Sequence, residues 1–380
     1  MPLLVCVVLQ TCPQAGELQA TAHRCTRAAM HHHSVTTVPA AVTAAMLYAR
    51  FAASSTRPGL LRLFALTPVL ALLLILPFLI QLYSVRGLTA FFLVWLGEFK
   101  LLLLAFGHGP LHPRIRPLPF VFTAALPVKL RQQVSNDAAA AAAAVTVAKP
   151  KTKTKTVLLS SSIKFAIMVA IFQHLHYSKE RTHPYVAFVL YGVITYCILD
   201  SVLPCLAATG TAALGMELEP QFNKPYLSAS LQDFWGRRWN LMASAVLRPS
   251  VYDPVRARLG AAAGVLATFL VSGLMHEVVV CYYLTLRAPT GELTAFFLLH
   301  GACVCAERWC ARRCSGARPP RLVATPLVMA FLAGTACWLF LPPIFGDGMD
   351  DLYIAEAAAL ASSFRDVGAR VLLVFTQVVV

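Results

Sequence analysis

"ATFLVSGLMHEVVVCYY", residues 267–283, reads as the body of an apolar helix that carries a histidine and a glutamate inside it. A helix needs about 20 predominantly apolar residues to cross a bilayer, and the run that contains this stretch, 259–283, is long enough. Ionisable side chains at such a depth are costly and face a cavity or one another. His276 and Glu277 therefore predict a polar interior within a membrane-embedded bundle.

The rest of the chain agrees. Strong candidate spans lie at 60–83, 87–107, 184–206 and 323–345, with weaker ones at 37–53, 162–177 and 292–307. Only 13% of the residues are charged, 58% are hydrophobic and the mean hydropathy is +0.67, too apolar for a soluble domain of 380 residues. The expectation is an all-α, polytopic transmembrane helical bundle of about seven to nine spans. The eleven cysteines show no disulfide framework, and Cys303, Cys305, Cys310 and Cys314 lack a CxxC pair, so no metal site is expected. Walker, GxGxxG and GxSxG motifs are absent from any strand-to-helix context.

The net charge of +15 sits mostly between the apolar runs. Loops 108–161, 207–258 and 308–322 are rich in Lys and Arg, whereas 84–86, 178–183 and 284–291 are poor. That alternation places the rich loops in the cytosol if all eight candidates cross, and it assigns the charge to topology and anionic headgroups rather than to nucleic acid. Residues 1–34, with a His run at 31–33, read as a disordered N-terminal extension. Residues 35–380 form the membrane domain, in which 138–156, an Ala run followed by a Lys/Thr run, is a low-complexity cytosolic linker. The final apolar stretch, 371–380, is too short to cross alone.

The loop 207–258 holds "SASLQDFWGRRWN", residues 228–240. As a helix it starts at a capping box of Ser230 and Asp233. At 3.6 residues per turn Asp233, Arg237, Asn240 and Ser244 share one side, with Asp233 and Arg237 at a pairing distance, while Trp235 and Trp239 share the other. An interfacial amphipathic helix explains this pattern, as does a cytosol-facing entrance that holds an anionic, partly aromatic ligand.

His276 shares a helix face with Ser272 and Gly273, small residues that leave room beside the imidazole. A neutral imidazole in an apolar cavity is a suitable general base for an alcohol, and a structural interhelical hydrogen bond is the other explanation. A zinc HExxH motif fails because Val280 stands where the second His is required. Among other polar residues in apolar runs, His300, Asp200, Glu98 and Lys100 read as structural, the last two as an intramembrane pair, with His300 nearest to a functional role.

"ELEPQFNKPYLSASLQDFWGRRWNLMASAVLRPSVYDPVR" (217–256), followed by "FLVSGLMHE" (269–277) and "FFLLHG" (296–301), resembles the membrane-bound O-acyltransferase superfamily and, within it, the plant wax synthases. Upstream "LTAFFLVWLGEFKLLLLAFGHGPL" (88–111) and "ALPVKLRQ" (125–132) resemble the same family, so the likeness covers about 42–360. "FWGRRWN" is similar to the FYxDWWN motif of related sterol and diacylglycerol acyltransferases, with Arg237 in place of its Asp. The resemblance implies a bundle with a central tunnel and transfer of an acyl group from acyl-CoA to a long-chain alcohol at the endoplasmic reticulum. It implies His276 as general base and Asn240 as donor or oxyanion partner. Arg237, Arg238 and Lys224 are then expected at the CoA phosphates and Trp235 and Trp239 at the tunnel wall or the membrane interface. Gln232, Asp233, Phe234, Tyr226, Ser272 and His300 complete the expected substrate-binding set. No metal or resident cofactor is expected, and acyl-CoA is the co-substrate. A sterol or diacylglycerol acceptor is the alternative within the class; a transporter using Glu98, Lys100, His276 and Glu277 as a polar path is the alternative outside it.

Overall fold

The computed structural model describes residues 36–128, 151–214, 219, 221–313 and 319–359. The expectations for 1–34, for the alanine run at 138–144 and for 371–380 fall outside them. All regular elements among the described residues are helical. In chain order they are α1 (36–55), α2 (Leu60–Leu79), α3 (Tyr83–Ala105), α4 (Pro117–Ala125), α5 (Lys151–Ser178), α6 (Pro184–Leu214), α7 (231–238), α8 (241–259), α9 (Ala261–Leu284), α10 (Glu292–Arg313), α11 (Arg321–Phe340), α12 (Pro342–Phe345) and α13 (349–359).

Among the described residues five helices are long and apolar enough to cross a membrane: Leu60–Leu79, Tyr83–Ala105, Pro184–Ser201, Ala261–Leu284 and Arg321–Phe340. They coincide with the five strong candidates of the sequence. The three weaker candidates are also helices, α1, α5 and α10, but their polar residues keep them outside that set. The Lys/Thr run differs from expectation, because α5 already begins at Lys151. Lysine is a good helix former, and the apolar segment behind it lets the helix propagate backward at little cost.

Burial sorts the spans. Two thirds of the apolar window of α3 is buried (67%), against 17% for α6 and α11, so α3 is central and the other two face outward. Phe64, Leu322, Leu327 and Trp338 are exposed on the outside, as lipid-facing side chains require. The most extensive helix pair is α9 with α10. Two glycines bring them together: a Cβ on Gly273 would stand 2.9 Å from the Thr294 Cα, and one on Gly301 2.9 Å from the Phe269 Cβ. Gly273 thus admits a neighbouring backbone, where the sequence suggested free space beside the imidazole.

Helix ends buried in apolar surroundings leave orphan N–H and C=O groups that must be satisfied. This chain does so with charged side chains from other elements. Lys100, fully buried, donates to the Thr123 and Leu126 carbonyls at the end of α4, at 2.6 and 2.5 Å. Arg62 donates to Thr56 O after α1 and to Leu104 O at the end of α3. Glu356 accepts from the Tyr83 and Ser84 N–H groups at the start of α3. Cations sit at C-termini and anions at N-termini, the arrangement that the helix dipole favours. Lys100 is therefore committed to α4 and does not pair with Glu98.

Candidate active site

The stretch 228–240 folds differently from a single amphipathic helix. Ser230 caps it as expected, its Oγ accepting from Asp233 N at 2.9 Å. From Phe234 the backbone then winds as a π-helix, with Trp239 N bonded to Phe234 O. In π register the residue five positions on lies below its partner, so Asp233 pairs with Arg238 at 2.7 Å and not with Arg237. Arg238 also donates to the Asn223 and Lys224 carbonyls and clasps the incoming segment. Arg237 is exposed and makes no ion pair among the described residues.

Asn240 ends this turn with φ 42° and ψ 63°, a left-handed conformation that asparagine tolerates better than most residues. Its Oδ1 accepts from Ala243 N at 3.1 Å and caps α8. That bond fixes the amide orientation, and the Nδ2 hydrogens have no acceptor among the described residues.

His276 lies in α9, just before its π-helical end at Val279–Leu284. Its Nδ1 is 2.7 Å from Ser272 O. A carbonyl only accepts, so Nδ1 carries the proton and Nε2 presents a lone pair. Nε2 makes no hydrogen bond among the described residues. Rings hold the imidazole on several sides: Phe297 at 4.3 Å, Trp95 at 4.7 Å, Phe340 at 5.8 Å and Phe91 at 5.9 Å between centroids. Phe91, Trp95 and Phe340 all come from π-helical turns, which often occur at functional sites.

The two polar groups meet. Asn240 and His276 both line one cavity of about 100 Å³, together with Trp95, Trp235, Trp239, Ser244, Ser272 and Phe297. A residue with an unprotonated imidazole nitrogen and a residue with an amide donor thus line one pocket with aromatic walls. Such a pair can take a proton from one oxygen and stabilise negative charge on another.

The other sequence candidates separate into three groups. Trp235, Trp239 and Ser272 line the cavity. Phe234 is buried and stacks on Trp239 at 5.4 Å, while Asp233 and Arg238 form the clasp beneath. Gln232, Lys224, Tyr226 and Arg237 are exposed. His300 departs from the expected substrate contact, because it is fully buried with both nitrogens engaged. Trp235 Nε1–H donates to its Nδ1 at 3.2 Å, so Nε2–H donates to Thr335 Oγ1 at 3.0 Å, and that hydroxyl donates to Phe331 O. His300 orients Trp235 from behind.

Two glutamates outside the candidate set brace the site. Glu277 accepts from the N–H groups of Thr290, Gly291 and Thr294, at 3.0, 2.7 and 3.1 Å, and from the Thr294 hydroxyl, so it caps α10 from α9. Glu307 of α10 accepts from Leu231 N and Gln232 N and caps α7. A transport path through Glu277 finds its carboxylate already committed. Glu277→Gln replaces one accepting oxygen by a donor that faces other donors. It is expected to destabilise the fold by about 1–3 kcal/mol, seen as a lower melting temperature of the detergent-solubilised protein. An unchanged melting temperature contradicts the cap.

The sequence profile of the membrane bound O-acyl transferase family matches residues 218–299, which include Asn240 and His276. The chain is 40% identical over 318 residues to a long-chain-alcohol O-fatty-acyltransferase of Simmondsia chinensis, covering 81% of this chain and 88% of that protein. It is 38% identical to the probable long-chain-alcohol O-fatty-acyltransferase 1 of Arabidopsis thaliana, covering 81% and 90%. It is also 36% identical to acyl-CoA–sterol O-acyltransferase 1 of Arabidopsis thaliana, covering 84% and 93%.

Proposed function

Because this multi-pass membrane chain belongs to the membrane bound O-acyl transferase family, we propose that it transfers a fatty acyl group from acyl-CoA to a long-chain alcohol, giving a wax ester and free CoA at the endoplasmic reticulum. One observation carries the proposal: Asn240 and His276 line the same cavity. The alcohol O–H gives its proton to His276 Nε2 as its oxygen attacks the thioester carbonyl carbon. The carbonyl oxygen becomes an oxyanion, which accepts a hydrogen bond from Asn240 Nδ2. Collapse expels the CoA thiolate, and the proton on Nε2 passes to its sulfur, so the imidazole is restored. A thioester is already activated, so no metal or resident cofactor is required.

CoA is a cytosolic polyanion, and Arg237 and Lys224 are exposed on and beside the motif. Arg238, held by Asp233, supports them from below. Arg237→Ala is expected to raise KM for acyl-CoA about two- to fivefold, as an exposed ion pair warrants, with the difference fading at high salt. Steady-state kinetics at two ionic strengths check this; a KM equal to wild type at low salt contradicts the contact.

The similarity to an acyl-CoA–sterol O-acyltransferase supports a second reading, a sterol acceptor. Membranes containing the protein, given labelled acyl-CoA with a panel of fatty alcohols, sterols and diacylglycerol, decide between them by the lipid products. No labelled ester from any acceptor overturns both.

A further inference from the structure

Thr335 is buried in α11, one residue before the π-helical turn Ala336–Phe340. It lies beyond residue 299, where the match to the family profile ends, as does the fully buried His300. Neither side chain lines the cavity of Asn240 and His276. Both are tied to it by hydrogen bonds that can run in only one direction. An indole N–H only donates, so the 3.2 Å bond from Trp235 Nε1 requires a lone pair on His300 Nδ1. The imidazole then carries its proton on Nε2, and Thr335 Oγ1 accepts from it at 3.0 Å. The hydroxyl hydrogen in turn goes to Phe331 O at 2.8 Å.

The far end of this chain is a wall of the site. Trp235 lines the cavity, and its ring centroid lies 5.6 Å from that of Phe297, which stacks on the His276 imidazole at 4.3 Å. The rings of Phe269, Phe296 and Phe297 also surround Trp235, but such apolar contacts do not select one edge of the indole. The hydrogen bond does. An indole turned away from His300 leaves a buried N–H without an acceptor, which a dry interior penalises.

We propose that Thr335 and His300 are positioning residues for acyl transfer: the threonine hydroxyl selects the Nε2–H tautomer of His300, and that tautomer holds Trp235, and through it Phe297, against His276. The inference rests on the acyltransferase reading and extends the site to α11. The other tautomer sets an Nδ1–H against the indole N–H, donor against donor. A displaced wall slows the chemical step because reacting atoms must be held about 3–3.5 Å apart.

Thr335→Val keeps the side-chain shape without the hydroxyl, and Thr335→Ser retains the hydroxyl. In membranes carrying Thr335→Val, kcat for ester formation per immunoblotted protein is expected to fall about five- to tenfold, on the order of one hydrogen bond, with KM for acyl-CoA unchanged. Thr335→Ser is expected to stay near wild type. Trp235→Phe removes the indole donor, so adding Thr335→Val to it is expected to lower kcat no further, as for residues that act through one chain. A wild-type kcat in Thr335→Val, an equal loss in Thr335→Ser, a raised KM at normal kcat, or losses that multiply in the double variant overturn the proposal. If Thr335→Val does not accumulate, His300→Asn, which keeps an acceptor for the indole, is expected to retain more kcat than His300→Leu, which has none; equal losses overturn the proposal as well. A wild-type protein that makes no ester overturns the acyltransferase reading first. Melting temperatures of the single and double variants in detergent then decide the hydrogen-bonded chain by itself, additive shifts overturning it.

Discussion

His276→Ala abolishes ester formation while the protein remains in the membrane at its normal level. The expected fall is about 10²- to 10⁴-fold, the contribution of a positioned general base. Its imidazole donates only to Ser272 O, a carbonyl of its own helix, so removal strands no partner. The surrounding rings of Trp95, Phe297 and Phe340 lose one contact each. Radiolabelled product from isolated membranes, normalised to immunoblotted protein, measures the effect. Retention of activity within a few-fold of wild type removes His276 from the mechanism and leaves it as a packed aromatic.

Asn240→Asp and Asn240→Ala separate the two roles that this residue combines. Aspartate tolerates the left-handed backbone and its carboxylate still accepts from Ala243 N, so the cap of α8 survives. It has no Nδ2 donor, and it places negative charge where the oxyanion forms. Activity is therefore expected to fall by at least about 10²- to 10³-fold, the value of one oxyanion donor, with little change in stability. Alanine loses the donor and the cap together, which adds about 1 kcal/mol of destabilisation. A melting temperature lowered in Asn240→Ala but not in Asn240→Asp, with both variants inactive, is the expected pattern. An active Asn240→Asp enzyme contradicts the donor role.

Much of the fold was legible because a membrane span is a one-dimensional property. About 20 apolar residues in a row announce it, and the five strong runs became the five apolar helices. His276 and Asn240 were legible for a different reason. An imidazole inside an apolar run and an amide at the end of a Trp- and Arg-rich segment are conspicuous by their chemistry, and the resemblance of "FWGRRWN" and "FLVSGLMHE" joined them. The capping serine, Ser230, also needed only local pattern.

Arg237 and Arg238 mark where that reading stopped. A helical wheel assumes 3.6 residues per turn, and the π turn at Phe234–Arg238 shifts each following residue to a new face. Sequence therefore paired Asp233 with the wrong arginine of two neighbours. His300 looked like a substrate contact because its place in an apolar run cannot tell a free nitrogen from an engaged one. Only the positions of Trp235 and Thr335 show that both of its nitrogens are taken.

By itself the sequence determined the all-helical membrane class and the strong spans, and it nominated, through the resemblance, the two residues proposed for acyl transfer. These follow from local composition, helical period and motif. The tertiary structure alone decided that Asn240 and His276 share a cavity and that Glu277 and Glu307 cap helices from other elements. Each of these depends on residues distant in the chain, and their meeting is set by how helices pack: through Gly273 and Gly301 for α9 and α10, and through buried charges placed on orphan helix ends.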